Sequence, residues 1–168
     1  TDAGLQARPT LTEKADIAGN AIELARIMGV STPRVAVLSA AEEIDAGVPS
    51  TIDAAALCKM ADCGQIEGGL VDGPLAFDSA VSMPSAHAKH PNSPVAGQAD
   101  VLLAPDLEAA SMLARQLQYL AGATASGLIM GARVPITLVT HRQDTATAYL
   151  ASAVLAKRVA HRYRLVRP

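Results

Sequence analysis

The sequence predicts an α/β fold, a mostly parallel sheet flanked by helices. Short, wholly apolar runs alternate along the chain with longer segments of helical period, which is typical of β-α-β units. The apolar runs lack the polar alternation of half-exposed strands, so they indicate strands covered on both faces. Five predicted strands alternate with five predicted helices, and helices lie on both sides of the sheet.

Composition excludes several classes of protein. The 168 residues are 50% hydrophobic and 18% charged, with a formal net charge of −2, whereas a disordered chain has few large apolar side chains. The sequence contains no run of about twenty apolar residues, so it predicts no transmembrane helix. Aromatic residues make up 2%, which leaves almost no stacking platform for nucleic acid. We therefore expect neither a nucleic acid nor a membrane as a partner.

The cysteines and the chain start indicate the compartment. Cys58 and Cys63 stand five apart in one helical pattern, so they point to different faces and match neither a disulfide nor a metal knuckle. No signal peptide, lipidation motif or transit segment appears at the start. We expect reduced cysteines and a cytoplasmic protein. Because the chain begins with Thr1 rather than Met, we also expect a piece of something longer.

A capping pattern opens the first predicted helix. Thr10 and Glu13 match a capping box ahead of a helix at about 11 to 28, which Gly29 stops. The apolar run at residues 35–38 then predicts the first strand.

The same capping logic predicts the second helix. Ser50 and Asp53 precede a segment that Gly64 closes. Its apolar face is assigned to Ile52, Ala56 and Met60.

Proline and glycine mark the middle of the chain. A short strand at 68–71 is expected to end at Asp72-Gly73-Pro74, with Pro74 in the first turn of the next helix. Pro84 limits that helix or divides it in two. Residues 83–97 indicate a partly irregular surface connection.

The second half predicts three strands and two helices. In order these are a strand at 100–104, a helix from Leu107 to just before Gly122, strands at 126–130 and 136–140, and a last helix to about 162 with Asp144 as its N-cap.

Polar and glycine residues cluster where the predicted strands end. In open α/β sheets, ligands bind beyond the carboxyl ends of the strands. The plainer interpretation is that strand ends need turn formers and helix caps in any case. The residues concerned are Ser39 to Glu43, Asp72-Gly73, Pro105 to Glu108, Gly131 to Arg133, and Thr140 to Asp144.

Residues 140–144 hold the strongest candidate chemistry. Thr140, His141, Arg142 and Asp144 bring a hydroxyl, an imidazole, a guanidinium and a carboxylate between a strand and a helix. Such groups can bind an oxyanion and move a proton, and a helix start favours phosphate-like groups. In the alternative interpretation, Asp144 is a plain N-cap.

Other motifs are weaker. His87 and His90 share a helical spacing, but no Asp, Glu or Cys lies in their segment, so we expect a surface connection and no metal site. The chain lacks a dinucleotide fingerprint, a Walker lysine and a serine elbow. Lys157, Arg158, Arg162, Arg164 and Arg167 fit a solvated helix end, with a site for anionic groups as the alternative.

Several ordered segments carry a resemblance to a known family. They are Pro49–Asp62, Val71–Asp78, Ser93–Gly97 with Ala99–Leu103, and Pro105–Ala109. Together they resemble the phosphate acetyl/butyryl transferase family, nearest to the acyltransferase portion of bifunctional enoyl-CoA hydratase/phosphate acetyltransferase proteins. The chain resembles the C-terminal half of the family's domain.

The resemblance implies an enzyme that exchanges an acyl group, acetyl or butyryl, between coenzyme A and inorganic phosphate. It also implies an isocitrate/isopropylmalate dehydrogenase-like fold, with the active site in the cleft of a two-domain subunit. Residues 1–9 would end a first-domain segment, 10–130 form the second domain, and 131–168 return to the first. Coenzyme A and phosphate are then substrates, no cofactor is bound permanently, and a homodimer or larger homo-oligomer is expected.

The family's catalytic Ser-Arg pair, followed by an Asp, falls at residues 140–144. Without a gap, Thr140 and His141 replace the pair. With one inserted residue, Arg142 and Asp144 keep their types, and we prefer this register because it leaves a permanent cation facing phosphate and a carboxylate near the thiol. Thr140 then adds a hydroxyl hydrogen bond.

The resemblance also assigns substrate-binding positions and an alternative function. Ala110-Ser111 stands where the family has Gly-Asn, and the added methyl crowds a ligand that passes close to the backbone. These departures favour a non-catalytic acyl-CoA-binding or regulatory domain of a larger fused enzyme as the alternative. An oxidoreductase on the related fold would need nicotinamide and metal sites that the sequence does not assemble. The substrate-binding residues expected are Pro105, Asp106, Ala110, Ser111, Gly131 and His141.

Overall fold

The computed structural model describes residues 1–138 and 146–166. Of Val166, only the backbone is described. The chain forms two compact units, Thr1–Ala110 and Ser111–Pro168. The α/β class expected from the sequence is confirmed. The elements in chain order are α1 (Leu11–Ile27), β1 (Arg34–Leu38), α2 (Pro49–Asp62), β2 (Leu70–Leu75), α3 (Phe77–Val81), α4 (Met83–Lys89), β3 (Val101–Leu103), α5 (Leu107–Ala121), β4 (Gly127–Ile129), β5 (Ile136–Leu138) and α6 (Ala146–Val166).

A three-stranded parallel sheet with the order β2-β1-β3 forms the centre of the first unit. Val35 of β1 pairs with Val71 on one side and with Val101 on the other. Val35 through Leu38 are all buried, which confirms the prediction from this wholly apolar run. The core around the sheet comprises Ala18, Ile22, Val35, Val37, Ala54, Leu57, Ile66 and Leu103. Full burial of a Leu or Ile side chain contributes about 1.5–3 kcal/mol.

Helix α1 begins and ends as the sequence predicts. The Thr10 hydroxyl accepts the Glu13 N–H, and the Glu13 carboxylate accepts the Thr10 N–H at 2.7 Å. The bond from the Thr10 N–H, with a second from the Thr10 hydroxyl at 2.8 Å, lowers the pKa of Glu13. Gly29 follows the helix with φ +104°, a conformation that favours glycine.

The capping prediction for α2 is wrong. Pro49 occupies the first turn, and the N-cap Val48 makes no side-chain capping bond. Ser50 lies inside the helix with its Oγ 2.9 Å from Ser39 Oγ. Asp53 reaches across to α1, where its carboxylate accepts a hydrogen bond of 2.7 Å from the buried Lys14 ammonium. Proline starts the helix because its fixed φ suits the first turn.

The predicted apolar face of α2 is also wrong in part. Ile52 is 44% exposed, whereas Thr51, Ala54 and Leu57 are buried. The Thr51 hydroxyl donates to the main-chain oxygens of Asp45 and Val48, which satisfies it inside the protein. A polar residue therefore faces the core, and an apolar one faces outward.

Strand β2 is longer than predicted. Asp72, Gly73 and Pro74 lie inside it, so Pro74 does not open the next helix. The register shifts between Ala36 and Leu38 of the partner strand, and this irregularity accommodates the proline. Pro84 was predicted either to limit the helix or to divide it in two. The helix is divided, because α3 and α4 are separate helices on either side of Ser82.

In the second unit, β4 and β5 form a separate antiparallel pair. The prediction that these segments extend the parallel sheet is wrong for the described residues. The connection between them is too short for the crossover that parallel neighbours need. Ala148, Ser152 and Val159 form the buried face of α6, and the Gly127 N–H donates to Ser152 Oγ at 3.2 Å. Helix α6 extends past the predicted end at 162 to Val166, and Asp144 lies outside the described residues.

Helices that are both long and apolar enough to cross a bilayer do not occur in the described part of the chain.

Gly73→Ala tests the close approach of β1 and β2. A Cβ on Gly73 would lie 2.7 Å from the Val37 carbonyl oxygen and 2.9 Å from Val37 Cβ. Because the obstacle is backbone, we expect a loss of about 1–3 kcal/mol in the free energy of unfolding, measured by urea denaturation. Gly19→Ala is the matched control, since a Cβ there meets nothing within 4 Å and the site is inside a helix. It should stabilise the protein by about 0.5–1 kcal/mol. Equal effects of the two changes would contradict the account.

Candidate active site

The predicted catalytic residues Thr140, Arg142 and Asp144 lie outside the described part of the chain, within residues 139–145. His141, predicted to bind substrate, lies in the same segment. Strand β5 ends at Leu138 before this segment, and α6 begins at Ala146 after it, so the segment connects a strand to a helix as the sequence predicts. The roles of the polar residues in this segment stay predictions.

Two predicted substrate-binding residues lie immediately before α5. Pro105 and Asp106 follow β3, and Asp106 Oδ1 accepts the Ala109 N–H at 2.8 Å. The Leu107 N–H donates to the Ala7 carbonyl at 3.2 Å. Groups of the protein itself therefore satisfy these donors of the helix start. This geometry assigns Asp106 a capping role.

The remaining predicted binding positions divide between the two units. Ala110 belongs to the first unit and is 4% exposed, so its methyl group packs inside. Ser111 and Gly131 belong to the second unit, where Gly131 follows β4 with φ +82°. Binding of a substrate by these residues stays a prediction.

A hydrogen-bonded pair holds the predicted segment 93–97 to β2. The Ser93 hydroxyl donates a short hydrogen bond to Asp72 Oδ2. The same Ser93 oxygen accepts the N–H groups of Val95 and Ala96, at 3.2 and 2.9 Å. Asp72 thus positions a turn within the segment predicted to be a partly irregular connection.

A cluster of charged residues lies where β1 and β2 end. Glu42, in the loop after β1, accepts the Ala76 N–H at 3.1 Å. Its two carboxylate oxygens lie 3.2 Å from His90 Nε2 and 3.3 Å from Lys89 Nζ. Lys89 also contacts Asp78 Oδ2 at 3.0 Å. We call Glu42, Asp78, Lys89 and His90 the edge cluster.

The edge cluster keeps Glu42 ionised. Burial raises the pKa of Glu42, but its contacts with Ser79, the Ala76 N–H, His90 and Lys89 outweigh burial and hold the pKa below its ordinary value. The hydrogen bond from Lys89 likewise lowers the pKa of Asp78, while Asp78 raises the pKa of Lys89.

Sequence reasoning missed the edge cluster. It treated His90 as part of a surface connection and assigned nothing to Lys89, and it noted Glu42 only within a list of strand-end residues. His90 and Glu42 stand 48 positions apart, so no local spacing links them. The described residues contain no group of three or more His, Cys, Asp or Glu that could hold a metal ion.

Cys58 lies beside the same strand, β2, with its thiol directed at the backbone. Its Sγ donates to the Gly73 carbonyl at 3.4 Å. Burial, with the nearby Asp72 carboxylate, raises the pKa of the Cys58 thiol to about 11. A thiol with this pKa is a poor nucleophile near neutral pH.

Comparison with known proteins identifies the family. Residues 1–156 match the family described as Phosphate acetyl/butaryl transferase. The chain belongs to this family. The resemblance to this family is therefore confirmed.

Relatives of the transferase family match nearly all of this chain. It is 53% identical over 164 residues to a phosphate acetyltransferase of Rhizobium meliloti, covering 98% of this chain and 52% of the relative. It is 41% identical over 160 residues to a phosphate butyryltransferase of Clostridium acetobutylicum, covering 95% of this chain and 53% of the relative. The chain thus spans about half the length of the curated relatives it matches.

A solved structure shares the fold of this chain. The crystal structure of a branched-chain phosphotransacylase from Enterococcus faecalis V583 matches with a TM-score of 0.84 and 31% identity. The match covers 95% of this chain and 57% of that structure.

Thiol labelling tests the geometry around β2. Cys63 is exposed, whereas Cys58 is half-buried and bonded to Gly73. We expect iodoacetamide to modify Cys58 at least about tenfold more slowly than Cys63 at neutral pH, because the thiolate is the reacting species. Peptide mass spectrometry over time gives the two rates. In strong denaturant the rates should converge, and equal rates in the folded protein would contradict the burial of Cys58.

Proposed function

We propose that the protein exchanges an acyl group, acetyl or butyryl, between coenzyme A and inorganic phosphate and so produces an acyl phosphate. The observation that carries this proposal is the family match over residues 1–156, at 53% identity to a phosphate acetyltransferase. Acyl-CoA and phosphate are the substrates, and the reaction uses no permanently bound cofactor.

The chemistry is assigned to the segment before α6. A phosphate oxygen attacks the thioester carbonyl carbon, the carbonyl oxygen takes up negative charge, and the carbon–sulfur bond then breaks to release coenzyme A. Arg142 binds phosphate or the developing oxyanion through paired donors, and Thr140 adds a hydroxyl hydrogen bond. In the reverse direction, Asp144 accepts the thiol proton of coenzyme A.

The charge of the second unit supports these roles. Residues 111–168 contain eight Lys or Arg side chains and a single carboxylate, that of Asp144. Phosphate and coenzyme A are both anionic, and an excess of cations raises their local concentration. The one carboxylate of this unit stands at the position to which the resemblance assigns the base.

We also propose the domain organisation that the resemblance implies. The subunit has an isocitrate/isopropylmalate dehydrogenase-like fold with two domains, in which residues 1–9 and 131–168 belong to the first and 10–130 to the second. Exposed apolar side chains support a covering partner for the second unit, since Leu120 is 85%, Leu150 66% and Val154 51% exposed. The protein acts in the cytoplasm as a homo-oligomer.

Arg142→Ala in the full-length protein tests the proposed reaction. Loss of an oxyanion donor elsewhere costs on the order of 100-fold in rate, and we expect at least that loss of phosphate-dependent acyl-CoA consumption. Release of coenzyme A thiol from acetyl-CoA and butyryl-CoA, with and without phosphate, measures it. Arg115→Ala is the matched control, because Arg115 is an exposed residue of α5 and carries no proposed role.

Two results would contradict the proposal in different ways. Unchanged turnover of the Arg142 variant removes this residue from the mechanism. Saturable acyl-CoA binding without turnover in the unaltered protein supports the alternative, a non-catalytic acyl-CoA-binding or regulatory domain. The presence of Ala110-Ser111 where the family has Gly-Asn is the observation that favours this alternative.

A further inference from the structure

The loop between β1 and α2 is held at its two ends and at its middle. At its start, the Ser39 N–H continues the strand pairing by donating to the Leu75 carbonyl at 3.0 Å. Near its end, the Asp45 N–H donates to Thr51 Oγ1 at 2.9 Å. Between these points Glu42 supplies the bonds to α3 and α4 through the edge cluster. Residues 43–47 of the loop are exposed.

The charges of the edge cluster do not balance when histidine is neutral. Glu42 from the loop and Asp78 from α3 contribute two carboxylates, and Lys89 from α4 contributes one ammonium. His87, one turn before His90 on α4, is exposed. Asp72 of β2 is bonded to Ser93 in the segment after α4. One negative charge in the cluster therefore lacks a counter-charge unless a proton is added.

His90 is placed to receive that proton. Its Nε2 is shut off from solvent, lies 3.2 Å from Glu42 Oε1 and makes no well-aligned hydrogen bond. A neutral ring carries no net charge, and its Nε2 makes no hydrogen bond to the carboxylate in this geometry. A protonated ring converts the contact into a second ion pair on Glu42, with less solvent screening than at an open surface.

We propose that the edge cluster is a pH-dependent latch, in which protonation of His90 tightens the hold of Glu42 on the loop between β1 and α2. The contacts on Glu42 hold its pKa below the ordinary value, so Glu42 stays ionised at about pH 6, and the latch is tighter there than at about pH 8. The latch lies at the carboxyl edge of the parallel sheet, where ligands of such sheets bind. It concerns the first unit and does not depend on acyl transfer.

Hydrogen exchange of the full-length protein tests the latch. Protection of peptides from residues 39–48 is measured at about pH 6 and about pH 8 and corrected for the intrinsic exchange rates. We expect about threefold greater protection at the lower pH, the size of one partly screened ion pair. Peptides from β1 serve as the internal reference for global stability.

Three variants separate the latch from a general effect of pH. His90→Gln should abolish the pH dependence of the loop and keep the Lys89 contact. His87→Gln is the matched control on the same helix and should leave the dependence intact. Glu42→Gln should increase exchange of the loop at both pH values and remove the dependence. Equal protection at both pH values in the unaltered protein, or a dependence that persists in His90→Gln, would overturn the proposal.

Discussion

The first unit depends on the close approach of two backbone segments. One is β1 with the residue before it, and the other is β2 with the residue before it. A Cβ on Gly69 would lie 2.7 Å from the Pro33 carbonyl, and a Cβ on Gly73 would lie 2.7 Å from that of Val37. These two glycines stand near opposite ends of the strand pair, so both ends require a residue without a side chain. The fit holds the carboxyl ends of β1 and β2 together, and this brings Glu42 within reach of Ala76.

Local signals predicted the elements whose causes are local. Thr10, Glu13 and Gly29 fix both ends of α1 through bonds that span a few residues, and the structure contains them. Ser50 carries the same signal but fails, because Pro49 already starts α2 and Ser50 turns to Ser39. A capping motif therefore predicts a helix start reliably only where no stronger start signal precedes it. Apolar composition does not indicate that β4 and β5 pair antiparallel, but their short connection does, because parallel neighbours need a longer crossover.

Only those parts of the candidate site whose polar groups are close together in the sequence could be predicted from it. The segment before α6 combines its polar groups within five positions, and the resemblance assigned roles to them. Glu42 and His90 meet because the sheet places the loop after β1 beside α4, and a spacing of 48 residues carries no periodic signal. The same reason hid the pairing of Asp72 with Ser93. Long-range contacts of this kind need the fold before they can be assigned.

Opposite charge in the two units links the fold to the proposed chemistry. Residues 1–110 contain fifteen carboxylates and six Lys or Arg, whereas residues 111–168 contain one carboxylate and eight Lys or Arg. In the first unit, carboxylates such as Asp53, Asp72 and Glu42 accept internal hydrogen bonds and hold elements in place. Their negative charge gives the first unit little attraction of its own for an anion. In the proposed reaction, phosphate and coenzyme A would be attracted by the excess of cations in the second unit, to which Arg142 belongs.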